Sequence, residues 1–113
     1  MHELSLAENV MRIIEDEAIT QQFRRVRSVT LEIGKLAAVE PEAMRFAFDA
    51  VTRDTLAAGA RLELIETPGQ GSCADCAATV AMDEVLVLCP QCGSGRVRVT
   101  GGDRMRVLEL EAE

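Results

Sequence analysis

The sequence predicts an α+β layer: two helices on a three-stranded sheet, with a zinc-ribbon-like insert held by two Cys-x2-Cys knuckles. Three observations predict it. Two stretches place apolar residues at helical spacing, and three others read as strands by alternation or by short apolar runs. All four cysteines fall in one segment bounded on both sides by glycine-containing punctuation.

From Ser5 to about Gln22, the residues Leu6, Val10, Ile13, Ile14 and Ala18 share a helical face with Met11 alongside. Glu8, Arg12, Glu15 and Asp16 take much of the opposite face, so this helix is amphipathic and needs a surface to pack on. Ser5 with Glu8 fits a capping box, which predicts a helix start just after the opening residues. In RVRSVTLEIGKL, Val29, Leu31 and Ile33 alternate with Ser28, Thr30 and Glu32, a strand that Gly34 ends or bends. VEP then opens a second helix with Pro41 in its first turn, where a missing amide is harmless. Met44, Ala47, Phe48 and Val51 form its inward stripe, and Gly59 is read as its stop.

ARLELIE is the second strand, with Leu62 and Leu64 on one face. TPGQG, ending at Gly71, breaks both periodicities, and TGGD is a second break. The chain finishes RMRVLELEAE, where Met105 and Val107 share one phase but Leu108 and Leu110 share the other. A strand with that slip either bulges or is buried on both faces. The elements assign residues 1–67 and 101–113 to an α+β domain and 68–100 to the inserted domain.

At 113 residues this is one small globular unit with room for a smaller insert. An apolar fraction of 48% is too high for intrinsic disorder. The net charge of −7 disfavours nucleic acid, and the short Arg24, Arg25, Arg27 cluster reads as a solvated helix end and strand face. No segment approaches the roughly 18 consecutive apolar residues of a membrane span. Glu3 and Glu8 stand where a secretory signal would be basic, so a cytoplasmic chain with reduced thiols is expected.

The insert reads CADCAATVAMDEVLVLCPQC, pairing Cys73 with Cys76 and Cys89 with Cys92. Two such knuckles can place four thiolates tetrahedrally around zinc. Gly93 suits the positive φ of the second turn, and Thr79–Val80 with Val85–Leu88 are expected as short hairpin strands. A segment below roughly 40 residues usually needs metal, disulfides or a partner to fold. Zinc can contribute on the order of 10–16 kcal/mol to such folding. Two disulfides, a rubredoxin-like iron site and a redox pair are the alternatives that spacing leaves open. Four thiolates close the coordination sphere, so the expected role is structural and no enzyme is expected.

The chain opens MHEL, and His2 is its single histidine. A free α-amine, the His2 amide nitrogen and the His2 imidazole Nδ1 can close two fused chelate rings on one metal. Nitrogen-rich square-planar geometry suits Ni(II) or Cu(II), and the residues by themselves do not choose between them. Glu3 can add an amide nitrogen or a carboxylate oxygen. An incidental surface histidine is the competing reading.

MHELSLAENV, VTLEIGKLAAVEPEAMRFAFDAVTRDT, the knuckles CADC and CPQCGSG, and TGGDRMRVLELE occur here in one order. Together they make the chain resemble the HypA/HybF family of nickel-hydrogenase maturation factors over essentially its whole length. That resemblance implies a nickel metallochaperone. Its nickel site would use the Met1 amine, His2 through ring and backbone, and Glu3, with Glu40 of the VEPE segment as an associated acidic position. Glu40 also reads as an ordinary helix N-terminal carboxylate favoured by the dipole. Zinc would map onto Cys73, Cys76, Cys89 and Cys92. The resemblance further implies a HypB-type GTPase partner and delivery of Ni(II) to the [NiFe]-hydrogenase large subunit, with urease maturation proteins as further clients in some members. In some relatives histidines flank the knuckles. Here Ala74, Asp75, Pro90 and Gln91 fill them, so zinc-linked sensing by that route is not expected.

Overall fold

A computed structural model describes residues 2–113. The elements run α1 (His2–Gln21), β1 (Val26–Gly34), a single 3-10 turn (Lys35–Ala37), α2 (Pro41–Thr52), β2 (Arg61–Thr67), β3 (Gly69–Cys73), β4 (Thr79–Met82), β5 (Val97–Gly101) and β6 (Met105–Ala112). The strands form two three-stranded sheets, ordered β2-β1-β6 and β4-β3-β5. The α+β architecture with a ribbon-like insert is therefore as the sequence predicts.

The chain divides into two compact units, one of residues 1–31, 39–65 and 107–113 and the other of residues 32–38 and 66–106. In the first unit α1 packs on α2. Its core takes Ala7, Val10, Met11 and Ile14 from α1, Met44, Ala47 and Phe48 from α2, and Val26, Val29 and Leu31 from the central strand. Burying the Val, Ile, Leu, Met and Phe side chains among them stabilises by about 1.5–3 kcal/mol each, which is what holds the two helices in place. Pro41 stands at the first position of α2 as expected, but the helix ends at Thr52 and Gly59 lies in the turns that follow. The Thr52 hydroxyl donates to the Phe48 carbonyl at 2.8 Å and the Thr55 amide to the Thr52 carbonyl at 3.1 Å, closing the helix before Gly59.

Two differences from expectation have clear causes. The first helix begins at His2, so Ser5 and Glu8 lie inside it and form no cap. Glu3 puts a carboxylate in the first turn, where the unpaired amides and the helix dipole favour one. The opening residues are thus helical. In β6 no residue is buried, and the half-buried positions change phase after Val107. This strand is an edge of its sheet, so burial on both faces is not the reason for its pattern.

The second unit contains the segment that reads as punctuation. Gly69–Cys73 is the central strand of a sheet, antiparallel to β4 (Gly71 opposite Val80) and to β5 (Cys73 opposite Val97), with an irregularity at Gln70/Gly71. Gly71 is needed because a Cβ there would lie 2.8 Å from the Arg98 carbonyl oxygen and against the Met82 sulfur. Val85–Leu88 forms no strand. The sheet ends at β4 and β5, and this run pairs with the outer edge of neither. Cys73, Val80, Met82 and Cys89 form the buried cluster, with Leu36, Ala78, Val87, Val97 and Val99 packed around it.

Candidate metal centres

Strand β3 ends at Cys73, so the sheet delivers the first thiol directly. Each knuckle is a turn closed by the same bond: Ala77 N–H to Cys73 O at 2.9 Å, and Gly93 N–H to Cys89 O at 2.8 Å. The residue closing each turn is left-handed, Ala77 at φ 63° and Gly93 at φ 77°. The knuckles therefore repeat one backbone design at two places. In each, the first cysteine is buried and the second exposed.

The four sulfurs lie within 4.8 Å of one another. The close pairs cross between knuckles, Cys73 to Cys92 and Cys76 to Cys89, each at 3.6 Å. Zinc–thiolate bonds of about 2.3 Å give a tetrahedral edge of about 3.8 Å, so the spacing fits a tetrahedral S4 site. Disulfide sulfurs are separated by about 2.05 Å, and all four cysteines here are free. Among the described residues this is the group of three or more His, Cys, Asp or Glu side chains whose ligand atoms converge.

Backbone amides prepare the thiolates. The Cys76 N–H, aided by that of Asp75, lowers the Cys73 thiol to about 7 against the cost of its burial. The amides of Cys92 and Gln91 likewise lower Cys89. At the second positions one amide each pulls down, Ala78 at Cys76 and Ser94 at Cys92. Burial and neighbouring thiols outweigh it, raising Cys76 and pushing Cys92 up to about 12. Amide hydrogen bonds to a sulfur favour its charged form, which is the form a metal takes.

Of the expected terminal ligands, His2 and Glu3 are neighbours, and Glu40 meets Glu3 through its backbone N–H and not its carboxylate. Met1 lies outside the described residues. The His2 side chain is 54% exposed, and its Nδ1 lies 3.8 Å from Glu3 Oε2, whose own side chain is 16% exposed. The Glu40 N–H donates to that same Glu3 oxygen at 3.1 Å, and the Glu40 carboxylate accepts from the Ala43 N–H at 2.7 Å as the cap of α2. The Glu40 amide, then Glu3's own amide and His2, hold the Glu3 carboxyl below its ordinary value.

A family model described as hydrogenase/urease nickel incorporation, metallochaperone, hypA matches residues 1–112. The chain belongs to the HypA family. It is 58% identical to the hydrogenase maturation factor HypA of Albidiferax ferrireducens and 54% identical to that of Azotobacter vinelandii, over all of both chains in each case. A solution structure of the Ni metallochaperone HypA from Helicobacter pylori matches with TM-score 0.73 at 25% identity, covering 97% of this chain and 96% of that one. A second HypA solution structure matches with TM-score 0.74 at 26% identity, covering 100% and 97%.

Sequence reasoning about this HypA-family chain missed three residues at the cysteine cluster. Asp75 Oδ2 accepts a short hydrogen bond from the Ser94 hydroxyl, and Asp75 Oδ1 accepts from Arg96 Nη1 at 2.9 Å. The Arg96 N–H in turn donates to Ser94 Oγ at 3.0 Å. Nothing in the spacing signals these contacts, since the partners lie 19 and 21 positions from Asp75.

Proposed function

We propose that the chain is a nickel metallochaperone: it binds Ni(II) at its amino terminus and delivers it to the immature [NiFe]-hydrogenase large subunit. It works in the cytoplasm with a HypB-type GTPase, catalyses no reaction of its own, and serves urease maturation where that client is present. The nickel set is the Met1 amine, the His2 amide and imidazole, Glu3, and Glu40. Residues 1–67 and 101–113 form the nickel domain. Residues 68–100 form the zinc domain, with Zn(II) on Cys73, Cys76, Cys89 and Cys92 in a purely structural role.

The observation that carries this reading is the position of His2 and Glu3 in the first turn of α1. First-turn amides have no acceptor within their own helix. The His2 amide nitrogen can therefore be taken by a metal without breaking a helical hydrogen bond. The exposed imidazole leaves the ion open to a receiving protein, as transfer requires. Glu3 is fixed beside it by the Glu40 amide. Among the described residues no helix is long and apolar enough to cross a membrane.

Ligand exchange would begin by protonating the amine or imidazole, so nickel affinity should fall between roughly pH 8 and pH 5.5. A flat calorimetric affinity over that range refutes the release mechanism. The main test is nickel titration of a tag-free protein with its native amino terminus. Acetylating that terminus, or His2→Ala, should abolish tight Ni(II) binding and hydrogenase maturation while one zinc per chain remains.

A second reading has one observation in its favour. Leu86 and Leu88 are 87% and 70% exposed beside the second knuckle, as on a protein-recruiting zinc ribbon that binds nickel incidentally. Full maturation activity in His2→Ala would favour it.

A further inference from the structure

We propose that Asp75 is the latch of the cysteine site: its carboxylate closes one knuckle onto the other and sets how slowly the bound metal leaves. This rests on the reading that the four thiolates hold zinc.

Asp75 lies inside the first knuckle, between Cys73 and Cys76. Its partners, Ser94 and Arg96, belong to the segment that leaves the second knuckle for β5. The same crossing has a backbone tie, with the Ala74 N–H donating to the Arg96 carbonyl at 2.9 Å. Ser94 also anchors its own knuckle, its carbonyl accepting from the Cys89 N–H at 2.8 Å. The triangle of Asp75, Ser94 and Arg96 thus joins two turns that sequence separates.

A metal held by the four thiolates would bridge the same two turns, because each close sulfur pair takes one cysteine from each knuckle. Zinc held there would be lost as the thiolates let go one at a time, and the first loss would be productive only if the knuckles moved apart. With the triangle intact a freed thiolate would stay within reach of the site. Without it the two knuckles could separate.

Magnitudes favour a role in metal retention over one in the stability of the fold. The Asp75 and Arg96 side chains are 43% and 73% exposed, and ion pairs in such settings contribute little to equilibrium stability. Groups that orient metal ligands from behind, in contrast, commonly change affinity or activity 10- to 100-fold.

The test mixes the zinc-loaded full chain with excess chromogenic chelator, in the range where release no longer depends on chelator concentration. Asp75→Ala should raise the zinc dissociation rate at least about ten-fold, with the association rate unchanged. Ser94→Ala and Arg96→Gln should each raise it, and neither should add to Asp75→Ala. Asp75→Asn, which keeps an acceptor for Ser94 but not the charge, should fall between. Rates equal to wild type, or fully additive effects, overturn the latch. If Asp75→Ala does not load zinc, Asp75→Asn and Ser94→Ala carry the same comparison. A wild-type chain that binds no zinc defeats the zinc reading itself, whereas one zinc per chain with unaltered release defeats the latch alone.

Discussion

The backbone N–H of Glu40 donates to Oε2 of Glu3 at 3.1 Å, joining the start of α2 to the first turn of α1. This bond is the largest cause of the lowered Glu3 carboxyl. A carboxylate whose value is depressed by folding contributes stability that is complete above its ordinary value, here 4.5, and lost as pH falls through the lower folded value. The Glu40 amide resonance should therefore titrate with a midpoint below 4.5 in the wild type. In Glu3→Gln it should be flat over the same range. A wild-type midpoint above the ordinary value would show that the bond does not hold the carboxylate.

Glu40 has two proposed roles that one pair of variants separates. Its side chain caps α2 by accepting from the Ala43 N–H. Glu40→Ala should cost about 1 kcal/mol in chemical denaturation, as loss of a cap does. Glu40→Gln keeps an acceptor for Ala43 but removes the charge. Stability should then stay close to wild type, while nickel affinity falls about ten-fold, equivalent to about 1.4 kcal/mol. Unchanged affinity in Glu40→Gln would remove Glu40 from the nickel set and leave it as a cap.

What was legible in the sequence follows from how local each signal is. The stripes of Val10 and Ile14 or Met44 and Phe48, the alternation of Val29 and Leu31, and the doubled cysteine spacing are all short-range patterns. They yield both helices and the β2-β1-β6 sheet. Gly69–Gly71 reads as punctuation, yet it opens strand β3, because its inward positions, Gly69 and Gly71, are small for the sake of neighbours such as Met82, which is a tertiary reason. The reverse error fell on Val85–Leu88, apolar enough for a strand but left unpaired, with Leu86 and Leu88 exposed. At the amino terminus, the Glu3–Glu40 bond spans 37 positions and leaves no local trace.

The knuckles offer a matched pair of backbone tests. Ala77 and Gly93 occupy equivalent left-handed positions, and only glycine does so without a Cβ penalty. That penalty is roughly 1–2 kcal/mol, partly offset by the extra freedom glycine brings to the unfolded chain. Ala77→Gly should therefore stabilise the zinc-loaded chain by about 0.5–1 kcal/mol. Gly93→Ala meets no atom within 4 Å, so its cost should be conformational only, about 1 kcal/mol. Thermal melts of the two zinc-loaded variants should shift in opposite directions. A shift of the same sign in both would show that the knuckles are not equivalent.

Zinc loading should be strongly coupled to protons, with a sign that the thiols determine. Cys73, at about 7, is roughly half ionised at neutral pH, whereas Cys92, at about 12, holds its proton. Cys73 is depressed, so its contribution as a thiolate is present above its ordinary value and is lost as pH falls through about 7. Cys76 and Cys92 are raised, so their protons must be expelled by the metal at any physiological pH. Cys76 and Cys92 each give up a full proton and Cys73 about half of one, so binding at pH 7 should release at least about two and a half protons per zinc. Affinity must then rise with pH, its logarithm climbing by about that number per unit near neutrality. Because metal binding is folding energy for so small a unit, the melting temperature of this unit under limiting zinc should drop as pH falls from about 8 to 6. Calorimetry in two buffers of different ionisation enthalpy gives the proton count directly. Release of fewer than about two protons would mean that the thiols are already ionised in the metal-free chain.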